Sequence, residues 1–139
     1  MSENVTQSVK EPIIYPPGQR TLHEIIADLR RPLSDKHLKH KKAGTSQVTY
    51  IPWYSAIKYL DYFAPGWSYR IANVYHIGAN CVVVAEISIP TKDGIVTRQA
   101  TGVEDDDKSG YGDPASNAES MALRRAAAKF GLGLYLYEK

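Results

Sequence analysis

Three runs of alternating apolar and polar residues follow one another between residues 67 and 103, and the breaks between them are turn chemistry. In the first, Trp67, Tyr69, Ile71 and Tyr75 share a face; in the second, Cys81, Val83, Ala85, Ile87 and Ile89 do. The third, from Ile95 to about Val103, is more polar. A period of two puts alternate side chains on opposite sides of a pleated strand. Gly78-Ala79-Asn80 and Lys92-Asp93-Gly94 suit tight reversals, so the runs are expected to form an antiparallel meander. One face of such a sheet is apolar and needs a cover.

Helices flank the meander. Thr21-Leu22-His23-Glu24 has the form of a capping box, and Leu22, Ile25, Ile26 and Leu29 follow at helical spacing before Pro32. Ser34 is expected to cap a short helix over 35–42, ended by Gly44. Pro52 suits the first turn of a helix over 52–63, in which only Ser55, Lys58 and Asp61 are polar. A helix apolar on most of its circumference is buried on more than one side, by a core or by a neighbouring subunit. Pro65-Gly66 ends it. A second capping box, Ser116-Asn117-Ala118-Glu119, is expected to open the last helix, which runs to about Phe130 and stops at Gly131. Ala115, Ala118, Ala122, Ala126, Ala127 and Ala128 make that helix slim enough to lie close to a sheet. The tail 132–137 alternates and is apolar enough to need covering. Residues 1–19 are polar and proline-rich with no period, which predicts a flexible arm before one domain over 20–139. The expected class is α+β: a three-stranded antiparallel meander packed against helices in the order α-β-β-β-α.

The 139 residues suffice for one domain, and 43% hydrophobic with 23% charged is a globular balance. Cys81 is the one cysteine, in an apolar run, so a buried, inert thiol is expected and neither a disulfide nor a paired-cysteine zinc site. The four histidines show no metal-ligand spacing. No stretch approaches 18 apolar residues and the first ten residues lack an apolar core; the expectation is a soluble protein of a reducing cytoplasm, with no membrane partner.

A net charge of +2 decides nothing by itself, so placement matters. Arg125 and Lys129 are one turn apart on the last helix, with Arg124 beside them. Guanidinium groups grip phosphate oxygens in a fork, and the alternative is a solvated face with cations favoured near a helix C-terminus. A second basic segment holds Arg30, Arg31, Lys36, Lys39, Lys41 and Lys42 against Asp28 and Asp35. Counterion release from such a patch drives sequence-independent binding of nucleic acid. Most of the fourteen aromatic residues fall on faces expected to be buried; Tyr111, in a loop, is the freest to stack on a base. The acidic run Glu104-Asp105-Asp106-Asp107 fits an EF-hand loop poorly, since Ser116 stands where the bidentate glutamate belongs. There is no phosphate-binding G-x-x-x-x-G-K-[ST] loop, so ATP-driven chemistry is not indicated. No cofactor and no catalytic residue is expected.

Tyr50-Ile51 before an aromatic helix, Pro65-Gly66-Trp67 before the meander, Thr101-Gly102-Val103, and Asn117-Ala118-Glu119-Ser120 through Arg124-Arg125 to Phe130-Gly131-Leu132-Gly133 come in that order. Together they resemble the Rad52/Rad22 family of single-strand annealing proteins, over about residues 21–137. The closing residues 130–137 resemble its bacterial and phage, DdrA-like members. The resemblance implies ATP-independent rings that hold single-stranded DNA by its backbone in a positive groove and anneal complementary strands, in recombination and double-strand break repair. It implies phosphate contacts at Arg124, Arg125 and Lys41, with Lys42, Lys58 and Lys129 adding positive field, and a nucleoid-associated site of action. A single-strand-binding protein is a further candidate partner, although recruitment through a C-terminal region like that of eukaryotic members is not expected. Two positions depart from the pattern: Ala128 and Ser55 stand where relatives carry arginine. The rival readings are a double-stranded RNA- or DNA-binding module, which shares the element order, and a metal-dependent nuclease using residues 104–107.

Overall fold

A computed structural model describes residues 15–106 and 113–138. Helix α1 spans Leu22–Leu29, and its predicted capping box is formed in both directions: the Glu24 N–H donates to Thr21 Oγ1 at 3.1 Å and the Thr21 N–H donates to Glu24 Oε1 at 2.9 Å. Ile25 and Leu29 face the core. Arg20, just before the cap, ties three elements together. It pairs with Asp28 of α1, donates to the Phe63 carbonyl at 2.9 Å, and its own carbonyl accepts from the Lys92 N–H at 2.7 Å. Its guanidinium also lies 4.0 Å from the centre of the Tyr15 ring. Of the predicted arm, residues 1–14 lie outside the described residues.

The predicted helix over 35–42 is not formed. A single 3-10 turn, Asp35–His37, gives way to strand β1 (Lys39–Ala43), which pairs antiparallel with β2 (Ser46–Tyr50). The reasons are local. Ser34 makes no side-chain cap, and the lysine-rich segment has no apolar stripe for a helix to bury. Gly44, expected as a helix stop, instead takes φ +67° in a two-residue hairpin turn with Thr45. Lys41 and Lys42 therefore sit on an exposed β-hairpin, opposite Val48 and Gln47.

Helix α2 spans Trp53–Phe63, with Pro52 at the cap and its carbonyl accepting from the Ser55 and Ala56 N–H groups. It buries Ser55, Ala56 and Leu60, while Trp53, Tyr54 and Tyr62 remain exposed. Among the described residues only one side is covered, and the expected polar stripe is broken because Ser55 points inward.

The meander is as predicted. Strands β3 (Ser68–Ile77), β4 (Asn80–Thr91) and β5 (Gly94–Asp105) pair antiparallel in the order β3-β4-β5. Cys81, Val83, Ala85, Ile87 and Ile89 are all buried on one face of the central strand. In β3 the register shifts between Ile71 and Asn73, with Ala72 the extra residue. A bulge of one residue reverses the alternation beyond it. Tyr75 consequently leaves the face it was expected to share with Trp67 and Tyr69, and lies opposite Val82.

Helix α3 (Pro114–Ala128) crosses the apolar face of β4 and β5. Its cap lies three residues before the predicted one, Ser116. Asp113 is the cap, accepting from the Ser116 N–H at 2.7 Å, and Pro114 takes the first helical position, where its missing N–H costs nothing. Close approach is possible because Gly102 has no side chain: a Cβ there would come within 1.9 Å of the Ala118 carbonyl oxygen. Ala118 and Ala122 pack on Cys81, Val83 and Ala85. Leu123, Ala126, Ala127, Phe130 and Leu132 join Ile25, Leu29, Ile51, Leu60, Ile87 and Ile89 in the main core. Tyr69, half-buried, donates its hydroxyl to the Glu119 carboxylate, locking α3 to β3. The tail forms a 3-10 turn, Leu134–Tyr137, and the Tyr135 hydroxyl accepts from the Leu33 N–H at 3.0 Å. The helices thus lie on one face of a three-stranded antiparallel sheet in an α+β fold, with the β1–β2 hairpin as an addition to the predicted order.

Candidate nucleic-acid interface

Residues of α3 four apart meet residues of β5 two apart. The helix rises about 6 Å in four residues and a strand about 6.8 Å in two, so the spacings match. Lys129 Nζ donates to the Gln99 carbonyl at 2.7 Å, Arg125 Nη1 donates to the Thr101 carbonyl at 3.3 Å, and Met121 Sδ accepts from the Val103 N–H at 3.4 Å. Strand β5 is an edge of its sheet, so Met121, Arg125 and Lys129 satisfy backbone groups that no strand covers. Arg125 and Lys129 are exposed beyond these bonds.

Arg124 takes a different position. Its guanidinium lies over the Tyr50 ring, 5.0 Å from the centre, and is partly buried. Burial pushes its pKa down from the ordinary arginine value; the Tyr137 and Tyr50 hydroxyls oppose that shift and Arg125 adds to it. An arginine remains charged under such a shift. Tyr50 is also the last residue of the β1–β2 hairpin, so Arg124 grips the base of the element that carries Lys41 and Lys42.

A cleft runs between α3, β5 and the C-terminal turn, lined by Ala100, Thr101, Arg125, Ala128, Lys129, Leu134 and Tyr137. Arg98 stands at its end: Nη1 donates to the Lys129 carbonyl at 2.5 Å and the guanidinium lies 4.9 Å from the centre of the Phe130 ring. Sequence reasoning missed Arg98 and Tyr137. The cross-strand position of Arg98, opposite Ile87 on the helix-covered side, marks it only once the register is known. Lys58 is not brought to this cleft. It lines a second, apolar one with His37, Ser55, Tyr59, Tyr62 and Phe63. Tyr111 lies outside the described residues.

None of Lys41, Lys42, Lys58, Arg124, Arg125 and Lys129 forms an ion pair among the described residues. Two residues of the acidic run, Glu104 and Asp106, have partners away from these cations. The Asp106 carboxylate lies 2.9 Å from His76 Nε2, and the Asn117 side-chain amide donates to Glu104 Oε2 at 3.5 Å. Asp107, the last acid of that run, lies outside the described residues.

Residues 21–139 match the model of the Rad52/22 family of double-strand break repair proteins. Two plant proteins from Arabidopsis thaliana are similar along most of the chain. The mitochondrial DNA repair RAD52-like protein 1 is 36% identical over 122 residues, covering 86% of this chain and 69% of that protein. The chloroplastic DNA repair RAD52-like protein 2 is 39% identical over 124 residues, covering 86% of this chain and 62% of that protein. The chain thus spans about two thirds of the length of these relatives. A sheet crossed by an alanine-lined helix, with its basic pair at the hairpin base and the strand edge, fits the match from 21 to 139, and the chain belongs to the Rad52/22 family of double-strand break repair proteins.

Proposed function

We propose that the protein binds single-stranded DNA without ATP and anneals complementary strands, as part of recombination and double-strand break repair. The observation that carries this reading is the set of cations without an ion pair among the described residues: Arg125 and Lys129 line a cleft with the half-exposed Tyr137 ring, Arg98 bonds to the Lys129 carbonyl, and Arg124 lies over Tyr50 on the same helix. Phosphates meet forked donors there, and a base has one ring to stack on. Lys41 and Lys42 extend the positive field along the hairpin whose base Arg124 holds. Backbone contacts of this kind cancel the repulsion between two strands and leave the bases free to test each other, so no bond chemistry is required.

The test is annealing of complementary oligonucleotides without nucleotide cofactor. The wild-type protein is expected to accelerate it. Arg124→Ala with Arg125→Ala is expected to abolish the acceleration and to reduce the salt slope of binding by about two units, about one per lost phosphate contact. Unchanged single-strand affinity across salt in that variant defeats the site assignment. Tighter binding of duplex RNA than of a pyrimidine single strand favours the duplex-reading alternative, and degradation of DNA with Mg²⁺ or Mn²⁺ favours a nuclease.

We further propose ring assembly. The support is the uncovered aromatic side of α2, with Trp53 and Tyr54 exposed, and the free edge of β3, where Val74 and Ile77 are more than half exposed. A mass measurement that finds only monomer at working concentration removes the ring.

A further inference from the structure

At the end of the sheet away from the α3 cations, three side chains that lie far apart in the sequence meet. His76 and Cys81 are register partners across the β3–β4 hairpin. Asp106 follows β5 and is anchored to the turn of that hairpin, its N–H donating to the Ala79 carbonyl at 2.6 Å. The imidazole, thiol and carboxylate ligand atoms all lie within 4.8 Å of one another. Two of them, His76 Nε2 and the Asp106 carboxylate, are already 2.9 Å apart.

We propose that His76, Cys81 and Asp106 form a binding site for a zinc-like divalent cation, with three protein ligands and a fourth position open to water. The donor set decides the class of ion. A thiolate, an imidazole and a carboxylate suit a borderline cation such as Zn²⁺, whereas Mg²⁺ and Ca²⁺ prefer oxygen alone. Bond lengths of about 2.0–2.3 Å to such an ion place ligand atoms about 3.3–3.7 Å apart in a tetrahedron. Reaching that spacing asks for rotation of His76 and Asp106, whose side chains are 56% and 33% exposed and have room to turn. Cys81 is the fixed corner, 3% exposed on the central strand.

Cys81 packs against Ala118 and Ala122 and also reaches the end of the sheet where His76 and Asp106 stand. Its face neighbours Val83 and Ala85 meet the alanines of α3 with apolar side chains alone. An exposed His–Asp pair contributes little by itself. Together they make a soft and a hard donor converge at one end of three strands. Glu104, the β5 register partner of Cys81, adds a further negative charge beside the site. Binding replaces the Cys81 thiol proton, which leaves to solvent while the thiolate takes the metal; no electron is transferred. A bound ion would pin β3, β4 and the end of β5 together, next to the segment that leads into α3.

The experiment titrates the full reduced chain with Co²⁺, a coloured stand-in for Zn²⁺. The expected result is a sulfur-to-cobalt charge-transfer band that saturates at one ion per chain and is bleached by Zn²⁺. Zn²⁺ is also expected to raise Tm, and Mg²⁺ at the same concentration is not. His76→Gln and Asp106→Asn, both outside the core, are expected to weaken Co²⁺ binding at least about tenfold each and to leave the metal-free Tm unchanged. Cys81→Ser removes the band. Absence of the band in the wild-type protein at millimolar Co²⁺, its persistence in His76→Gln, or equal stabilisation by Mg²⁺ overturns the proposal. None of these readouts involves DNA, so the outcome is independent of the annealing reading.

Discussion

Gly102 shows how one missing methyl group sets the thickness of the molecule. The Ala118 carbonyl of α3 occupies the space where a Cβ would stand, so Gly102→Ala must push the helix away from β5. The expected cost is about 3 kcal/mol or more, read as a fall in the urea midpoint at unchanged m-value. Ala122→Val, on the same helix surface, is expected to destabilise for the same reason. Tyr69 makes a residue-level prediction of another kind. Burial raises its hydroxyl well above the usual tyrosine value, and the Glu119 carboxylate that accepts its hydrogen bond raises it further. A group whose folded-state pKa lies above its unfolded one contributes its full stability below the unfolded value, here about pH 10, and loses it as pH rises toward the folded value. The unfolding free energy should therefore fall above about pH 10, and Tyr69→Phe should flatten that fall while lowering stability at neutral pH.

At the scale of elements, the β1–β2 hairpin stands largely by itself, joined to the body at its base through Tyr50 and Arg124. Lys41→Ala and Lys42→Ala should each leave Tm unchanged and reduce the salt slope of single-strand binding by about one unit, measured by titration at several salt concentrations. This hairpin was illegible in the sequence because Lys39-His40-Lys41-Lys42 carries no apolar residue to give a period, and a glycine after a polar run reads as well for a helix stop as for a turn. The meander was legible because Cys81 to Ile89 keeps a period of two between clear turn residues. The start of α3 was misplaced by three residues because two cap patterns overlap there, and Asp113-Pro114 wins over Ser116–Glu119. The basic pair was readable as a pair, but its division of labour was not. Whether a helical arginine reaches a ring or a strand carbonyl depends on the rotation of α3 over the sheet, which the close contact at Gly102 fixes. The grouping of His76, Cys81 and Asp106 was hidden for a similar reason, since it depends on strand register.

For the whole molecule, net charge is a poor guide: +2 is small, yet α3 and the hairpin concentrate cations while Asp106 pairs with His76 and Glu104 accepts from Asn117. The uncovered aromatics of α2 belong to this scale as well. Trp53→Ser with Tyr54→Ser should lower the assembled mass on a sizing column with light scattering while circular dichroism stays unchanged, since both rings are nearly half exposed within the chain.

The comb of Met121, Arg125 and Lys129 over the rim of β5 means that two of the charges offered to a ligand are already in use. Each one drawn off to a phosphate abandons a carbonyl that water must then solvate, so attraction is gained net of a local loss. The grip on a polyanion should accordingly be gentler than a tally of cations suggests.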